Sequence, residues 1–234
     1  MPPLETSELS RSFGRLVALE SLSLTVEAGE CVALIGANGS GKSTAVRAIA
    51  GLLELSDGWV RVCGYDPHRE PEAEDARAAL SLVPDSPVLY DDLTVRHHLE
   101  LVALSHGVAD DADERIDSLL ARLGLTARAD FLPRELSRGM RQKTQLACAL
   151  IRPADLLVLD EPVVGLDPPS QALLHALLIE RKQAGAAVLL TTHQMAFADG
   201  LADRAVRLEE GVVADAGPWA QVRARAEAHG WASP

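Results

Sequence analysis

Aromatic residues are scarce, at 3% of 234 residues. The core must therefore be packed by aliphatic side chains and Ala, for which a hydrophobic content of 47% is ample. Cysteine is nearly as rare. Cys31, Cys63 and Cys148 lie far apart and form no C-x-x-C pair. That excludes a disulfide framework and a zinc site, and reads as three small core residues in a reducing compartment. No basic stripe is present, and a net charge of −12 with a pI near 5.0 excludes broad nucleic-acid binding. An anionic ligand would have to be held by local donors against the global field. The N-terminus, MPPLETSELS, lacks an apolar h-region, so no signal peptide is expected. The longest apolar run, Leu146 to Ile151, falls far short of the roughly 20 residues that span a bilayer. The chain reads as soluble or peripheral.

Against these absences stands one dense feature. Residues Gly36, Ala37, Asn38, Gly39, Ser40, Gly41, Lys42, Ser43 and Thr44 match the phosphate-loop pattern G-x-x-x-x-G-K-[ST]. The apolar run Cys31–Ile35 before it reads as a short buried strand, and Thr44 to Gly51 after it as a helix. Glycines let the backbone curl so that its N–H groups face phosphate oxygens. Lys42 puts a point charge on the β- and γ-phosphates, Ser43 offers a hydroxyl to Mg²⁺, and the helix N-terminus faces the anion. A second apolar run, Leu156–Leu159, ends in Asp160-Glu161. Asp160 suits Mg²⁺, a hard cation that prefers oxygen donors. Glu161, pointing differently, can orient or deprotonate an attacking water.

Leu22–Val26 and Trp59–Val62 alternate with period two and suggest an antiparallel β element beside the loop. The middle third is helical: Thr94 to His106, a helix carrying Ile116, Leu119, Leu120 and Leu123 that stops at Gly124, and Ser137 to Ile151. Residues from about 86 to 152 read as a helical insertion. Asp167 can cap a helix that begins at Pro168 and ends before Gly185, and Ala187–Thr192 is another buried strand. Residues 218–234 read as a helix plus tail. His97 and His98 are adjacent on a helix and point to different sides, which argues against a metal site there. His68, His106, His175 and His229 read as surface residues.

Leu136-Ser137-Arg138-Gly139-Met140 opens the third helix, and here the chain resembles the nucleotide-binding subunits of ABC transporters, whose signature is L-S-G-G-Q. Leu136, Ser137 and Gly139 agree, while Arg138 and Met140 depart. Drug- or lipid-type exporter subunits are similar, with L-S-x-G-M followed by Gln and a basic residue, here Gln142-Lys143. The resemblance covers residues 4–217 and implies a P-loop NTPase α/β core (1–85 and 153–217) with an antiparallel β element and an inserted helical subdomain. It implies an ATP- and Mg²⁺-dependent ATPase that powers an exporter by ATP-driven dimerisation. Its partners would be a second copy and a separate transmembrane permease, with the chain peripheral on the cytoplasmic face of the membrane. The implied roles are a trans γ-phosphate grip for Ser137 and Gly139, an interface-crossing loop for Gly165-Leu166-Asp167, and a switch histidine, His193. Phe13 would stack on adenine. Asp85, where the family usually has Gln, would keep a carboxylate for the metal. Taken alone, Ser137 is also a plain N-cap, Phe13 a core residue, and Asp85 a turn residue between Pro84 and Pro87. Two other readings are a non-transport ABC ATPase and a regulatory module that binds nucleotide without hydrolysis. The absence of a second cassette or coiled coil argues against the first, and Glu161 with His193 against the second.

Overall fold

The computed structural model describes residues 1–108 and 111–228. His229 and the rest of the C-terminal tail, 229–234, lie outside the described residues. The elements run β1 (Leu4–Phe13), β2 (Leu16–Val26), β3 (Cys31–Ile35), α1 (Lys42–Ile49), β4 (Asp57–Val62), α2 (Glu72–Ala79) and β5 (Leu80–Val83). They continue with α3 (Val95–Ser105), α4 (Ala112–Leu123), α5 (Arg138–Leu150), β6 (Leu156–Asp160), α6 (Pro168–Gln183) and β7 (Ala187–Thr192). The chain closes with α7 (Met195–Ala198), β8 (Arg204–Glu209), β9 (Val212–Pro218) and α8 (Trp219–Ala228).

These elements fall into two compact units: residues 1–82, 154–161 and 177–234 form one, and residues 83–153 and 162–176 the other. In the first, a six-stranded sheet has the order β5-β6-β7-β3-β8-β9. Strand β3 is paired in parallel on both sides, with β7 and β8, and β7 pairs in parallel with β6. A strand flanked on both edges and covered on both faces should read as a continuous apolar run, and Cys31–Ile35 is buried throughout. The strand order jumps around β3, so the loop that leaves its C-terminal end lies where open α/β sheets bind ligands.

The antiparallel element is a three-stranded sheet of order β2-β1-β4. The two strands expected there do not pair with each other. Both pair with β1, whose sequence LETSELSRSF alternates weakly because its pairing is broken by register shifts. The main apolar cluster of this unit is built from Leu, Val, Ile and Ala, in keeping with the scarcity of aromatics, while Phe197 and Trp219 are buried elsewhere in the unit. Cys31 and Cys148 are buried and Cys63 half-buried. Burial pushes the Cys148 thiol up to about 12, which leaves it an inert packing residue.

In the second unit the helices begin and end on local chemistry. Thr94 caps α3 by accepting from the His97 N–H at 3.2 Å. Gly124 ends α4 in the left-handed conformation, at φ 68°. Ser137 caps α5 by accepting from the Met140 N–H at 3.2 Å. On α3, His97 is exposed and His98 buried, so the adjacent pair does divide between two sides. His68, read as a surface residue, is half-buried, with Nε2 2.8 Å from the Ala48 carbonyl oxygen.

Candidate active site

The site begins where β3 ends. At Gly36 a Cβ would lie 2.4 Å from Ser40 Oγ and 2.5 Å from the Leu208 carbonyl, so only glycine fits the close pass of loop and β8. Gly41 takes φ 104° just before α1, with the Ala18 carbonyl 2.6 Å from where its Cβ would be. The Gly211 N–H donates to the Ser40 carbonyl at 3.1 Å, tying the β8–β9 turn to the loop. No side chain caps α1, and intrahelical bonding begins with the Ala45 N–H on the Gly41 carbonyl, so the N–H groups of Lys42, Ser43 and Thr44 have no intrahelical acceptor. An open cavity of about 310 Å³ lies beside the loop, lined by residues 36–40 and by Arg207, Leu208, Glu209 and Glu210.

Lys42 is buried, although the loop reads as a surface feature. Its Nζ donates to the Gly36 carbonyl at 2.8 Å and the Ala37 carbonyl at 3.1 Å, and lies 3.6 Å from Glu161 Oε1. Asp160 closes β6 and is 2% exposed, with Oδ1 accepting from Thr191 Oγ1 at 2.6 Å. Glu161 has φ 48°, a left-handed conformation that costs a non-glycine residue about 1–3 kcal/mol and must be held by its surroundings. The holders are visible: its N–H donates to Thr191 Oγ1 at 2.9 Å and to the Thr191 carbonyl at 3.2 Å. Its Oε2 accepts from the His193 N–H at 3.2 Å and lies 2.8 Å from His193 Nδ1. A carboxylate only accepts, so Nδ1 carries a proton toward Glu161. Glu161 Oε1 is buried without a hydrogen-bond partner, as is Ser40 Oγ. A buried acceptor left open beside a lysine suits a general base that takes a proton from water.

Thus Lys42, Glu161 and His193 come together within the first unit, with Asp160 beside them through Thr191. In the second unit, Ser137 and Gly139 open α5, and a Cβ at Gly139 would lie 2.9 Å from the Gly165 carbonyl. Signature and Gly165-Leu166-Asp167 loop are therefore packed together. Asp167 accepts from the Ser170 N–H at 2.9 Å as the cap of α6, and its hydrogen bonds with Ser170 hold its carboxyl below the usual carboxylate value. Asp85 is exposed just after β5. Phe13 is 46% exposed at the tip of the β1–β2 hairpin, with the Arg11 guanidinium 4.6 Å from its ring centroid, so it is not a core residue.

The family model described as "ABC transporter" matches residues 19–164. The chain belongs to the ABC transporter family. This ABC ATPase is 34% identical over 224 residues to ABC-type transporter ATP-binding protein EcsA of Bacillus subtilis, covering 95% of this chain and 90% of that one. It is likewise 34% identical to the SkfA peptide export ATP-binding protein SkfE of Bacillus subtilis, covering 90% and 87%. Against Nod factor export ATP-binding protein I of Sinorhizobium fredii the identity is 38%, covering 89% of this chain and 60% of the relative. A solved ATP-binding subunit of an ABC transporter superposes with a TM-score of 0.89 at 36% identity, over 98% of this chain and 95% of that one. The chain is thus an ATP-binding ATPase with the P-loop α/β fold. Among the described residues, no helix of this ABC subunit is long and apolar enough to cross a membrane.

Thr191 is the site residue that sequence reasoning missed. It is wholly buried and serves both Asp160 and Glu161. The signal was a polar pair, Thr191-Thr192, closing an otherwise aliphatic strand just before His193. In Thr191→Val, which keeps the shape, Glu161 loses one of the bonds that hold its strained backbone. Stability should fall by about 1–3 kcal/mol in a denaturant titration. ATPase activity should fall about tenfold, or about 1.4 kcal/mol in the barrier. Parental activity in a folded Thr191→Val protein would remove Thr191 from the site.

Proposed function

We propose that the chain is the energy-coupling subunit of an exporter: residues 1–217 form its catalytic cassette, residues 218–234 a C-terminal helix and tail, and it works as a head-to-tail pair on the cytoplasmic face of a separate transmembrane permease. The observation that carries the catalytic part is the open, buried Oε1 of Glu161 beside Lys42, with Oε2 taken by His193. Support for export comes from SkfE and the Nod factor protein, both named for export. Support for the pair comes from a cassette of the same fold solved as a dimer, at 22% identity and a TM-score of 0.85.

In this reading, the phosphate-loop N–H groups and Lys42 bind the β- and γ-phosphates of ATP. Glu161 accepts the proton of the attacking water, while His193, with Nδ1 on Glu161, presents Nε2 to the reacting centre. Ser137 and Gly139 supply the second phosphate contact from the other copy, Asp167 stands at the interface between copies, and Phe13 offers the face not taken by Arg11 to adenine. The donor set of the first unit fits Mg²⁺: Ser43 and Asp160 are hard oxygen donors. Bound there, Mg²⁺ would neutralise charge on the phosphates.

The shared site is tested by mixing two inactive variants. Ser137→Arg should bind ATP as the parent does yet hydrolyse none, because a bulky side chain fills a phosphate site that acts only across the pair. Mixed with Lys42→Ala subunits, it forms heterodimers with one doubly damaged site and one intact site. Recovery of roughly a quarter of parental activity, the statistical share of one good site in half the pairs, is expected. Cross-linked heterodimers without any activity would overturn the shared site.

A further inference from the structure

Between β5 and α3, within the second unit, the chain crosses residues 84–94 without regular structure and carries two large exposed apolar side chains, Val88 at 76% and Tyr90 at 67% exposure. Such a segment would be expected to move freely, yet both residues are fixed by their backbones. The Val88 N–H donates to Gln145 Oε1 of α5 at 3.0 Å. The Tyr90 N–H donates to Nε2 of His98 on α3 at 2.8 Å. The other ring nitrogen of His98, Nδ1, lies 2.7 Å from the Thr94 carbonyl oxygen. A carbonyl accepts only, so Nδ1 bears the proton and Nε2 is the acceptor. Both nitrogens are committed, and the arrangement exists for neutral imidazole alone. The Tyr90 and His98 rings also stack, with centroids 6.1 Å apart and planes at 28°.

We propose that His98 is a proton-sensitive latch on the Tyr90 end of this segment: neutral, it fixes Tyr90 relative to Val88; protonated at Nε2, it becomes a donor facing a donor and lets Tyr90 go. Gln145 does not titrate and keeps Val88 in place, so the change is confined to one of the two exposed side chains. The surrounding charges favour the closed form. Burial, with His97 beside it on α3, holds His98 below the usual imidazole value. The neighbouring acids are engaged or exposed to solvent. Asp113 and Asp117 of α4 are paired with Arg96, and Asp91 and Asp92 at the end of the segment are exposed. A folded value below the unfolded one means that the neutral latch is fully closed above the ordinary imidazole value of about 6.5. It is lost as pH falls through the lower folded value. Asp85 lies within the same segment. The latch itself does not depend on the proposed coupling to a permease.

The experiment follows amide hydrogen exchange residue by residue in the purified full chain between about pH 7.5 and about pH 5, each amide corrected for its own intrinsic rate. The Tyr90 amide should lose protection by up to about tenfold for each pH unit as pH falls from about 6.5 toward the folded His98 value, and level off below it, because one proton is coupled to its release. The Val88 amide, held by Gln145, and the Leu146 amide in the core of α5 should keep theirs. In His98→Gln, where a side-chain carbonyl can still accept from Tyr90, that protection should become flat with pH. In His98→Phe it should be lost at every pH. Tyr90 protection that is constant in the parent, or that falls only together with Val88 and Leu146, overturns the latch. ATPase activity measured over the same range separates the two readings, since a flat Tyr90 with active enzyme defeats the latch and leaves the catalytic reading untouched.

Discussion

Glu161→Gln should bind ATP as tightly as the parent and hydrolyse it about 100-fold more slowly, the lower end of what a general base contributes. The amide preserves the length and volume of the side chain, so the left-handed backbone at φ 48° and its two bonds to Thr191 are kept. Two things are lost. The buried Oε1 no longer carries a charge that can take a proton from water. The neutral side chain also makes only a weak partner for His193 Nδ1 and the Lys42 ammonium, which now contact a carboxylate. Because nucleotide stays bound longer in a variant that cannot cleave it, any dimer held by ATP should accumulate by mass action. Phosphate release and size-exclusion chromatography with and without ATP and Mg²⁺ measure both. A variant that turns over ATP at the parental rate would take the proton-accepting role away from Glu161.

Lys42→Ala should weaken ATP binding at least about 100-fold, in line with about 3 kcal/mol for a charge-assisted contact to phosphate. Removing a buried ammonium has a second effect that a purely electrostatic picture would leave out. Lys42 Nζ bonds the Gly36 and Ala37 carbonyls and so braces the loop it belongs to. The loop should therefore become more mobile while the sheet below it stays folded, because β3 is held on both edges. Isothermal titration with ATP gives the affinity, and far-ultraviolet circular dichroism confirms the fold. Unaltered affinity in a folded variant would mean that the phosphates sit elsewhere.

How much of this was legible in the sequence depends on the distance between the residues concerned. The phosphate loop, β3, β6 with Asp160 and Glu161, and the caps at Ser137 and Asp167 are local statements, fixed by short apolar runs and by residues within four positions of one another. The bond between Glu161 and His193 spans 32 residues, and only resemblance to a family suggested it. The role of Thr191 follows from parallel register, since Asp160 stands opposite it in the β6–β7 pair, and nothing in either strand alone sets that register. Strands β1, β5, β8 and β9 went unread for related reasons. β5 is four residues long, β1 is broken by register shifts, and β8 carries three charged residues in six. The burial of His98 was not legible because it is tertiary, created by a loop whose path no periodicity reveals.

The order β5-β6-β7-β3-β8-β9 also governs how the protein is made. Strand β3 is complete at Ile35, but its two neighbours begin at Ala187 and Arg204, more than 150 residues later. At about 5–20 residues per second, a ribosome takes roughly 10–30 s to supply the first of them. Throughout that interval the most apolar strand in the chain, with the nucleotide loop attached, has both hydrogen-bonding edges open. Some of its hydrophobic surface can be covered early by the β1–β2–β4 sheet and α1, all encoded before residue 63. The nucleotide-binding loop is thus among the first parts synthesised and the last to be locked. ATP binding during synthesis should appear only after β8 has left the ribosome, and truncation between residues 63 and 187 should yield chains that seek chaperones.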